Sequence, residues 1–535
     1  MKRIIILLTI FILAACSAPQ PLPATVTPDI PTSFTPTAVP SAFLRVQGHE
    51  IVDSGGQPVY LRGVNMDTYY YSYIWNPDAA WDYATQEDIK YLESIGATAI
   101  RLGFHWRYLD TSLGFDLIDT YLDWCEQAGI YVILDMHVVP PEDDILQGRM
   151  WDDPAAQQQF LDLWTSIAAR YVDRTIIAGY DLYNEPAPPS AAQWWDLARR
   201  SVAAIRSVDR NHILFVETPL LDGVTFELLP DPNVVYSFHN YSPMIVSHAA
   251  ADWVGDSLMP DDYSYPGPVL ASVEWADWSQ DAAELTDQTD EWIYWDSGPL
   301  TAPEDVEFAT VKPAAWGDIG QVWFDDLELE INGVTQSLHN PAMEEASAQH
   351  ANVAANWRFW SDSDFTGEWS AEYAHSGSHS LEISGNGDGW GMWTQSEWIL
   401  IEPLFRVQAG DTLRVRGWVY APQNNGGGVS LGLDYLNGVY EEYNREHLLA
   451  DIQPYLEWGA AHDVPLFVGE FGSMSAAPGD SRYALVSDMI SVMNENGLHW
   501  TMWSFRSPER PGFAVYFGGE LDERMGEILQ QGLQP

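Results

Sequence analysis

Positive charge is what this chain has least of. Only 24 Lys and Arg stand against 77 Asp and Glu in 535 residues, a formal net charge of −53. A surface so acidic repels phosphate backbones, which argues against nucleic acid as a partner; solubility in a salty or harsh medium accounts for the charge. Cysteine is almost absent, with Cys16 and Cys125 alone, so the chain is no disulfide scaffold and must rest on packed cores. The amino-terminal apolar run, Ile4 to Leu13, is too short to remain as a membrane-spanning helix.

What the chain does have begins with that run. Met1-Lys2-Arg3 ahead of it reads as a secretory signal. Its end, Leu13-Ala14-Ala15-Cys16, resembles the bacterial lipobox. That resemblance implies that Cys16 is acylated and becomes the first residue of the mature chain, the signal being residues 1–16 with the lipobox Cys; a cleaved signal with a coincidental Cys is the alternative. The expected location is extracytoplasmic, lipid-anchored to the bacterial cell envelope or secreted, with the anchor as the one membrane contact. With Cys16 acylated, Cys125 has no partner for an intrachain disulfide. Residues 17–42, rich in Pro, Thr and Ala and nearly free of charge, read as an extended tether. The 25 Trp and 26 Tyr also stand out, because flat aromatic faces pack on sugar C–H faces as well as in cores.

The chain is organised around Ile176-Ile177-Ala178-Gly179-Tyr180-Asp181-Leu182-Tyr183-Asn184-Glu185-Pro186. An apolar run of this length is a strand buried on both faces, and Pro186 stops it. Strand and helix patterns alternate around it. Strands are expected at Val59–Asn65, Ala97–Leu102, Ile130–His137, His212–Val216 and Val234–His239. The helices between them include one that Thr85 and Asp88 open as a capping box, then 116–128, 154–171 and 191–206. Strands also fall at 464–470 and 499–503, with helices at 446–461 and 481–496 and a last one closing near Leu529. Six units before an interruption and two after it make a (β/α)8 barrel.

The interruption spans about 272–437. Short strand-like runs, among them 322–324, 327–329, 380–383, 412–419 and 429–433, replace the βα rhythm there, and alternation over 412–419 marks a half-buried antiparallel strand. An all-β sandwich or jelly roll is expected. The domains are then a signal over 1–16, a tether over 17–42, barrel over 43–271 and 438–535, and the insert over 272–437.

A barrel gathers the carboxyl ends of its strands at one mouth. Those ends carry Arg101, His137, Asn184 and Glu185, His239 and Tyr241, Glu470 and Trp503. Glu185 and Glu470 face each other from strands four and seven, and two opposed carboxyls are the minimum equipment of glycoside hydrolysis. One must hold a proton for the leaving oxygen and the other must be ionised to attack. In this set the chain resembles glycoside hydrolase family 5, a retaining family with its glutamates on strands four and seven. The resemblance covers roughly 43–250 and 440–529. It implies Glu185 as acid/base and Glu470 as nucleophile. Arg101 would support the nucleophile, His137 line the site and Asn184 bond the sugar 2-hydroxyl. His239 and Tyr241 would flank the glutamates, and Trp503 would lie under the sugar.

The insert departs from that family. Its pieces resemble a carbohydrate-binding module of the calcium-containing jelly-roll type in swapped order. Trp323-Phe324-Asp325-Asp326-Leu327 looks like a last strand but precedes Asn340-Pro341-Ala342-Met343-Glu344 and 375–380, which look like a beginning. A circular permutation is the reading, with Asp325 and Glu344 as candidate ligands of a structural calcium. No cofactor is otherwise required. Trp292, Trp295, Trp357, Trp360, Trp390 and Trp393 are candidates for a sugar-binding face. The expected activity is cleavage of a β-glycan by an endo-β-1,4-glucanase-like enzyme. A β-mannanase or exo-β-glucosidase of the same fold stays open, as does a non-catalytic surface glycan-binding protein.

Overall fold

The computed structural model describes residues 42–66, 84–110, 112–142, 148–221, 223–251, 263–280, 285–347, 353–362, 364–395, 405–507 and 510–534. The signal, Cys16 and most of the tether lie outside the described residues. Two compact units separate, one built on Val269–Glu441 and the other on the chain up to Ala251 and again from Glu442.

The second unit is a closed barrel of eight parallel strands: β1 Arg62–Met66, β2 Ala99–His105, β3 Tyr131–Val138, β4 Ile177–Asp181, β5 Ile213–Glu217, β6 Val234–His239, β7 Leu466–Glu470 and β8 His499–Met502. Neighbours pair in chain order, and β8 returns to β1 through Trp500↔Arg62 and Met502↔Val64. Ala99, Ile133, Ala178, Ile213, Phe215, Val235 and Phe467, from six of the strands, fill its interior as one cluster. Strand β4 needs Gly179 because a Cβ there would lie 2.2 Å from the Ile213 carbonyl oxygen of β5.

The helices form where their ends say they should. Helix Pro154–Tyr171 opens on Asp153, whose carboxylate accepts from the N–H groups of Ala155 and Ala156, with Pro154 in the first turn. Thr85 and Asp88 make the expected capping box on helix Gln86–Ile95. Ser112–Ala128 ends before Gly129 at φ 69° and buries Cys125, whose thiol burial pushes up. Helices 154–171 and 191–206 and strand β6 have the expected bounds; other edges move by up to four residues. One shift matters for the site. Strand β4 stops at Asp181, so Asn184 and Glu185 lie three and four residues beyond its last ladder residue instead of at its tip.

The first unit holds two antiparallel sheets around one core. Strands Ile293–Asp296, Thr412–Tyr420, Gly320–Ile331, Ser380–Gly385 and Thr366–Ser370 run side by side in a seven-stranded sheet. Trp357–Ser361, Trp390–Gln395, Phe308–Trp316, Gly428–Tyr443 and Gly267–Gln280 do so in a six-stranded one. Gly267–Gln280 and Gly428–Tyr443 carry the sandwich past the expected 272–437 at both ends. The runs expected at 322–324 and 327–329 are one strand, bent by a bulge between Asp325 and Glu328. Burial alternates along Thr412–Tyr420, as a strand with one face on the core requires.

That alternation also corrects the aromatic reading. Trp357 and Trp393 face inward and are buried in the core, and Trp295 packs against it. They belong to the sandwich interior and to no sugar-binding face. Trp292, Trp360 and Trp390 stay half-buried.

Asp325 and Glu344 do not fit calcium. Asp325 accepts from the backbone N–H groups of Asp326, His375 and Ser376. Glu344 accepts from those of Ser378 and His379 and from the Ser378 hydroxyl. Calcium wants a cage of oxygens, whereas these carboxylates are met by N–H donors. They staple the turn at 375–379, where Gly377 takes φ 59° and a Cβ would lie 2.3 Å from the Glu344 carboxyl carbon.

Candidate active site

Arg101 anchors the barrel mouth. It is fully buried on β2, and its guanidinium makes four hydrogen bonds and one further ion pair. Nε reaches Asp181 Oδ2 at 2.8 Å, and Nη1 reaches Glu470 Oε1 at 2.8 Å and Asn65 Oδ1 at 3.1 Å. Nη2 reaches Asn184 Oδ1 at 2.9 Å and Asp135 Oδ1 at 3.1 Å. Burial alone would lower the Arg101 pKa, but the carboxylates of Asp135, Asp181 and Glu470 outweigh it and raise it. A fixed cation therefore holds one oxygen of Glu470.

The other oxygen, Oε2, accepts from the Tyr241 hydroxyl at 2.9 Å and lies 3.6 Å from His239 Nδ1. Glu470 thus enters the mouth from β7 with both oxygens engaged. Tyr241 stays protonated, because burial and then Glu470 push its pKa far up. His137 Nδ1 donates to Asp135 Oδ2 at 2.7 Å, and the ring stacks on Trp503, with centroids 5.1 Å apart and planes 14° apart. Its pKa rises, the Asp135 charge and hydrogen bond outweighing burial.

Glu185 approaches from the far side. It holds φ at 49°, in the left-handed region, although a following proline ordinarily drives a residue to extended backbone. Its Oε1 lies 2.9 Å from His239 Nδ1. One oxygen of Glu185, one of Glu470 and a His239 nitrogen all lie within 4.8 Å of one another. That is close to the spacing of about 5–5.5 Å at which two carboxyls serve one anomeric carbon, and far from the roughly 6.5–9.5 Å that leaves room for a water. Burial would raise the Glu185 pKa, but the His239 hydrogen bond and charge, with His137 and Arg101, bring it below the usual value. Asn184 gives its carbonyl oxygen to Arg101, which turns its amide nitrogen away; that buried nitrogen has no hydrogen-bond partner in the protein. A donor so placed is available to a sugar hydroxyl.

Glu185, His239 and Glu470 are the one cluster among the described residues with the donor types of a metal site. The neighbouring guanidinium, and the prior use of both Glu470 oxygens, make them poor ligands for a cation.

All eight residues singled out from the sequence meet at this mouth. Four more were missed: Asn65, Asp135, Asp181 and Glu217. Asn65 ties the Arg101 guanidinium to the Gly469 and Thr501 carbonyls. Glu217 ends β5, is 1% exposed, and accepts from the Glu185 N–H at 2.9 Å. The signal was available for it, a charged residue closing the apolar run Ile213 to Val216, but the expected strand stopped one residue short.

Fold and site together define a (β/α)8 barrel with opposed glutamates following strands four and seven. The family model described as Cellulase (glycosyl hydrolase family 5) matches residues 52–265 and 416–508, more than half of the chain. The chain belongs to glycoside hydrolase family 5. It is 26% identical over 225 residues to Endoglucanase C of Acetivibrio thermocellus, a match covering 39% of this chain and 65% of that one. To a Beta-xylosidase of Phanerodontia chrysosporium it is 29% identical over 259 residues, covering 38% and 52%. The chain therefore spans less than two thirds of the length of either relative. A solved structure of Thermotoga maritima Cel5A with cellobiose aligns over 88% of this chain and 96% of its own, at 14% identity and a TM-score of 0.47.

Proposed function

We propose that the chain is a retaining glycosidase that cleaves β-linked glucans by double displacement, as an endo-β-1,4-glucanase does. The observation that carries this is the opposition of Glu185 and Glu470 within 4.8 Å, with Arg101 and Tyr241 holding the latter. Glu470, paired with the guanidinium and aimed by two hydrogen bonds, attacks the anomeric carbon while Glu185 protonates the departing oxygen. Glu185 then takes a proton from water as the water displaces Glu470, restoring both residues. Asn184 donates to the sugar hydroxyl beside the reacting carbon, and Trp503, backed by His137, gives the ring a flat face. Relatives named endoglucanase and Cellodextrinase A support a glucan substrate, and one named Beta-xylosidase adds β-xylosides to the panel worth testing.

The insert is read as a glycan-binding domain. Its support is the outward face of the seven-stranded sheet, where Trp292 meets Tyr420 and Tyr294 meets Trp418, the two pairs bridged by His375. Ring centroids within the pairs are 5.3–5.6 Å apart, and Tyr294 is 49% exposed. Acylation at Cys16 would hold the enzyme at the cell envelope.

The test is a pair of variants on aryl glycosides and polymers. Glu470→Ala should lose nearly all turnover. Glu185→Ala should lose roughly 10²–10⁴-fold in kcat/KM with ordinary leaving groups and far less with dinitrophenyl glycosides, which need no proton. NMR of the first-formed product should show the β-anomer. First-formed α-product, or two variants indistinguishable across leaving groups, would refute the assignment.

A further inference from the structure

Glu217 makes two contacts that the double-displacement scheme above does not use. One carboxylate oxygen, Oε2, accepts the backbone N–H of Glu185 at 2.9 Å. The other, Oε1, lies 3.2 Å from Nε2 of His239, whose Nδ1 is 2.9 Å from the Glu185 carboxylate. One buried side chain therefore touches both the main chain of the acid/base and the far edge of its imidazole partner. Its own main chain is pinned, since the buried Trp194 indole donates to the Glu217 carbonyl at 2.8 Å.

We propose that Glu217 is a positioning residue that holds Glu185 in its left-handed turn and, by its charge at the far edge of the His239 ring, steadies the proton shared between Nδ1 and Glu185. The inference deepens the glycosidase reading and rests on it. A non-glycine residue at φ 49° costs energy unless its surroundings fix it, and a carboxylate accepting its N–H is such a fixture. An ionised Glu217, 3.2 Å from Nε2, favours a proton on the imidazole and so steadies the pair that His239 and Glu185 make. Glu185 can then hold its proton against Nδ1. The same proton can cross to Nδ1, leaving a carboxylate beside an imidazolium with no proton gained or lost by the three groups. On glycosylation the Glu185 proton passes to the glycosidic oxygen as that C–O bond breaks and the Glu470 oxygen–carbon bond forms. Water returns a proton to Glu185 when its own oxygen displaces Glu470.

Other charges face this trio. Asp181 approaches from β4, Glu470 from β7, Arg101 from β2 and His137 from β3. Tyr455, on helix Arg445–His462, lies near Glu217, and Tyr241 near Glu185. Their balance favours retention of the proton. Burial by itself lowers the His239 pKa, but the charges of Glu217, Glu470 and Glu185 carry it up to about 10. Burial raises Glu217 to about 8 against the pull of His239, so its full charge, and the effect of removing it, belong to the alkaline limb.

The experiment is Glu217→Gln in the full chain, assayed on phenyl and 2,4-dinitrophenyl β-cellobiosides across pH. Gln keeps the shape and removes the charge, so the shared proton is held less tightly. The alkaline limb of kcat/KM for the phenyl glycoside should move down by about one unit or more. Its optimum should fall by about 10²-fold, and that of the dinitrophenyl glycoside by no more than about fivefold, since only the former needs the proton. The dinitrophenolate burst from a 2-deoxy-2-fluoro-cellobioside counts correctly folded, nucleophile-competent enzyme. If Glu217→Gln gives no burst, Glu217→Asp decides: retained charge at shorter reach should keep the limb in place and still show the leaving-group split. Equal losses on both glycosides, or an unmoved limb in Glu217→Gln, would overturn the proposal. A parent enzyme inactive on both glycosides, or an active Glu470→Ala, would instead sink the glycosidase reading.

Discussion

Replacing Arg101 by Lys keeps one positive charge at the centre of the site and destroys its shape. The guanidinium hydrogen-bonds one oxygen each of Asp181 and Glu470 and the amide oxygens of Asn65 and Asn184, and it pairs with Asp135. An ammonium has three donors on a single atom and cannot span that fork, so at least one of the four acceptors is left bare. Asp135 and Asp181 are wholly buried, and the Asp181 pKa is up to about 6 because burial outweighs the pull of Arg101. Breaking a buried charge pair on one side costs about 3–5 kcal/mol. At roughly 2–4 °C per kcal/mol for a domain of this size, the barrel should melt some 6–20 °C lower by calorimetry. Glu470 loses its fixed partner too, and a misaim of about 1 Å is enough for roughly a 10²-fold loss of kcat/KM. The measurements are calorimetry and steady-state kinetics on an aryl β-cellobioside. A Lys variant melting within about 2 °C of the parent at unchanged kcat/KM would show that the five-way fork is dispensable, against the shape argument.

Three further outcomes are open to test. His499 is buried, its Nδ1 accepts the Leu61 N–H, and burial followed by the Arg62 charge brings its pKa down to about 3. The unfolded chain protonates this group below about 6.5 and the folded chain does not. Stability is therefore complete above that pH and falls by about 1.4 kcal/mol per unit as pH drops toward 3. His499→Gln should flatten the stability curve from urea unfolding between pH 6 and 4, and an identical slope would contradict this. Tyr294→Ala with Trp418→Ala should weaken retention on insoluble glucan while leaving aryl glycoside kinetics within about threefold, the expectation for a tethered sugar site; unchanged retention would remove the binding role of that face. Asn184→Ala should lower kcat/KM by roughly 10–10²-fold on a glucoside and much less on its 2-deoxy analogue, because the amide's donor is lost only where a hydroxyl waits. Equal losses on both would place Asn184 elsewhere in the mechanism.

Periodicity and punctuation in the sequence determined the barrel. Long apolar runs closed by polar residues, capping residues such as Thr85 and Asp153, and Gly129 past a helix end are local signals whose meaning does not depend on distant chain. For that reason helix 191–206 and strand β6 were legible to the residue, and the eight residues of the mouth could be named from strand ends alone. Three things belonged to the tertiary structure. Trp357 and Trp360 share one strand, and which of them faces the core depends on which face of its sheet meets the other sheet; composition carries no trace of that. Asp325 and Glu344 looked like calcium ligands because acidic residues are written the same way whatever they meet; only the folded turn shows N–H groups in front of them. Asp135, Asp181 and Glu217 are short words in apolar strands, and their purpose appears only once β2, β3, β4 and β5 bring them to Arg101, Glu185 and His239. A charge buried at a barrel mouth acquires its chemistry from partners tens or hundreds of residues away, and closing the barrel is what supplies them.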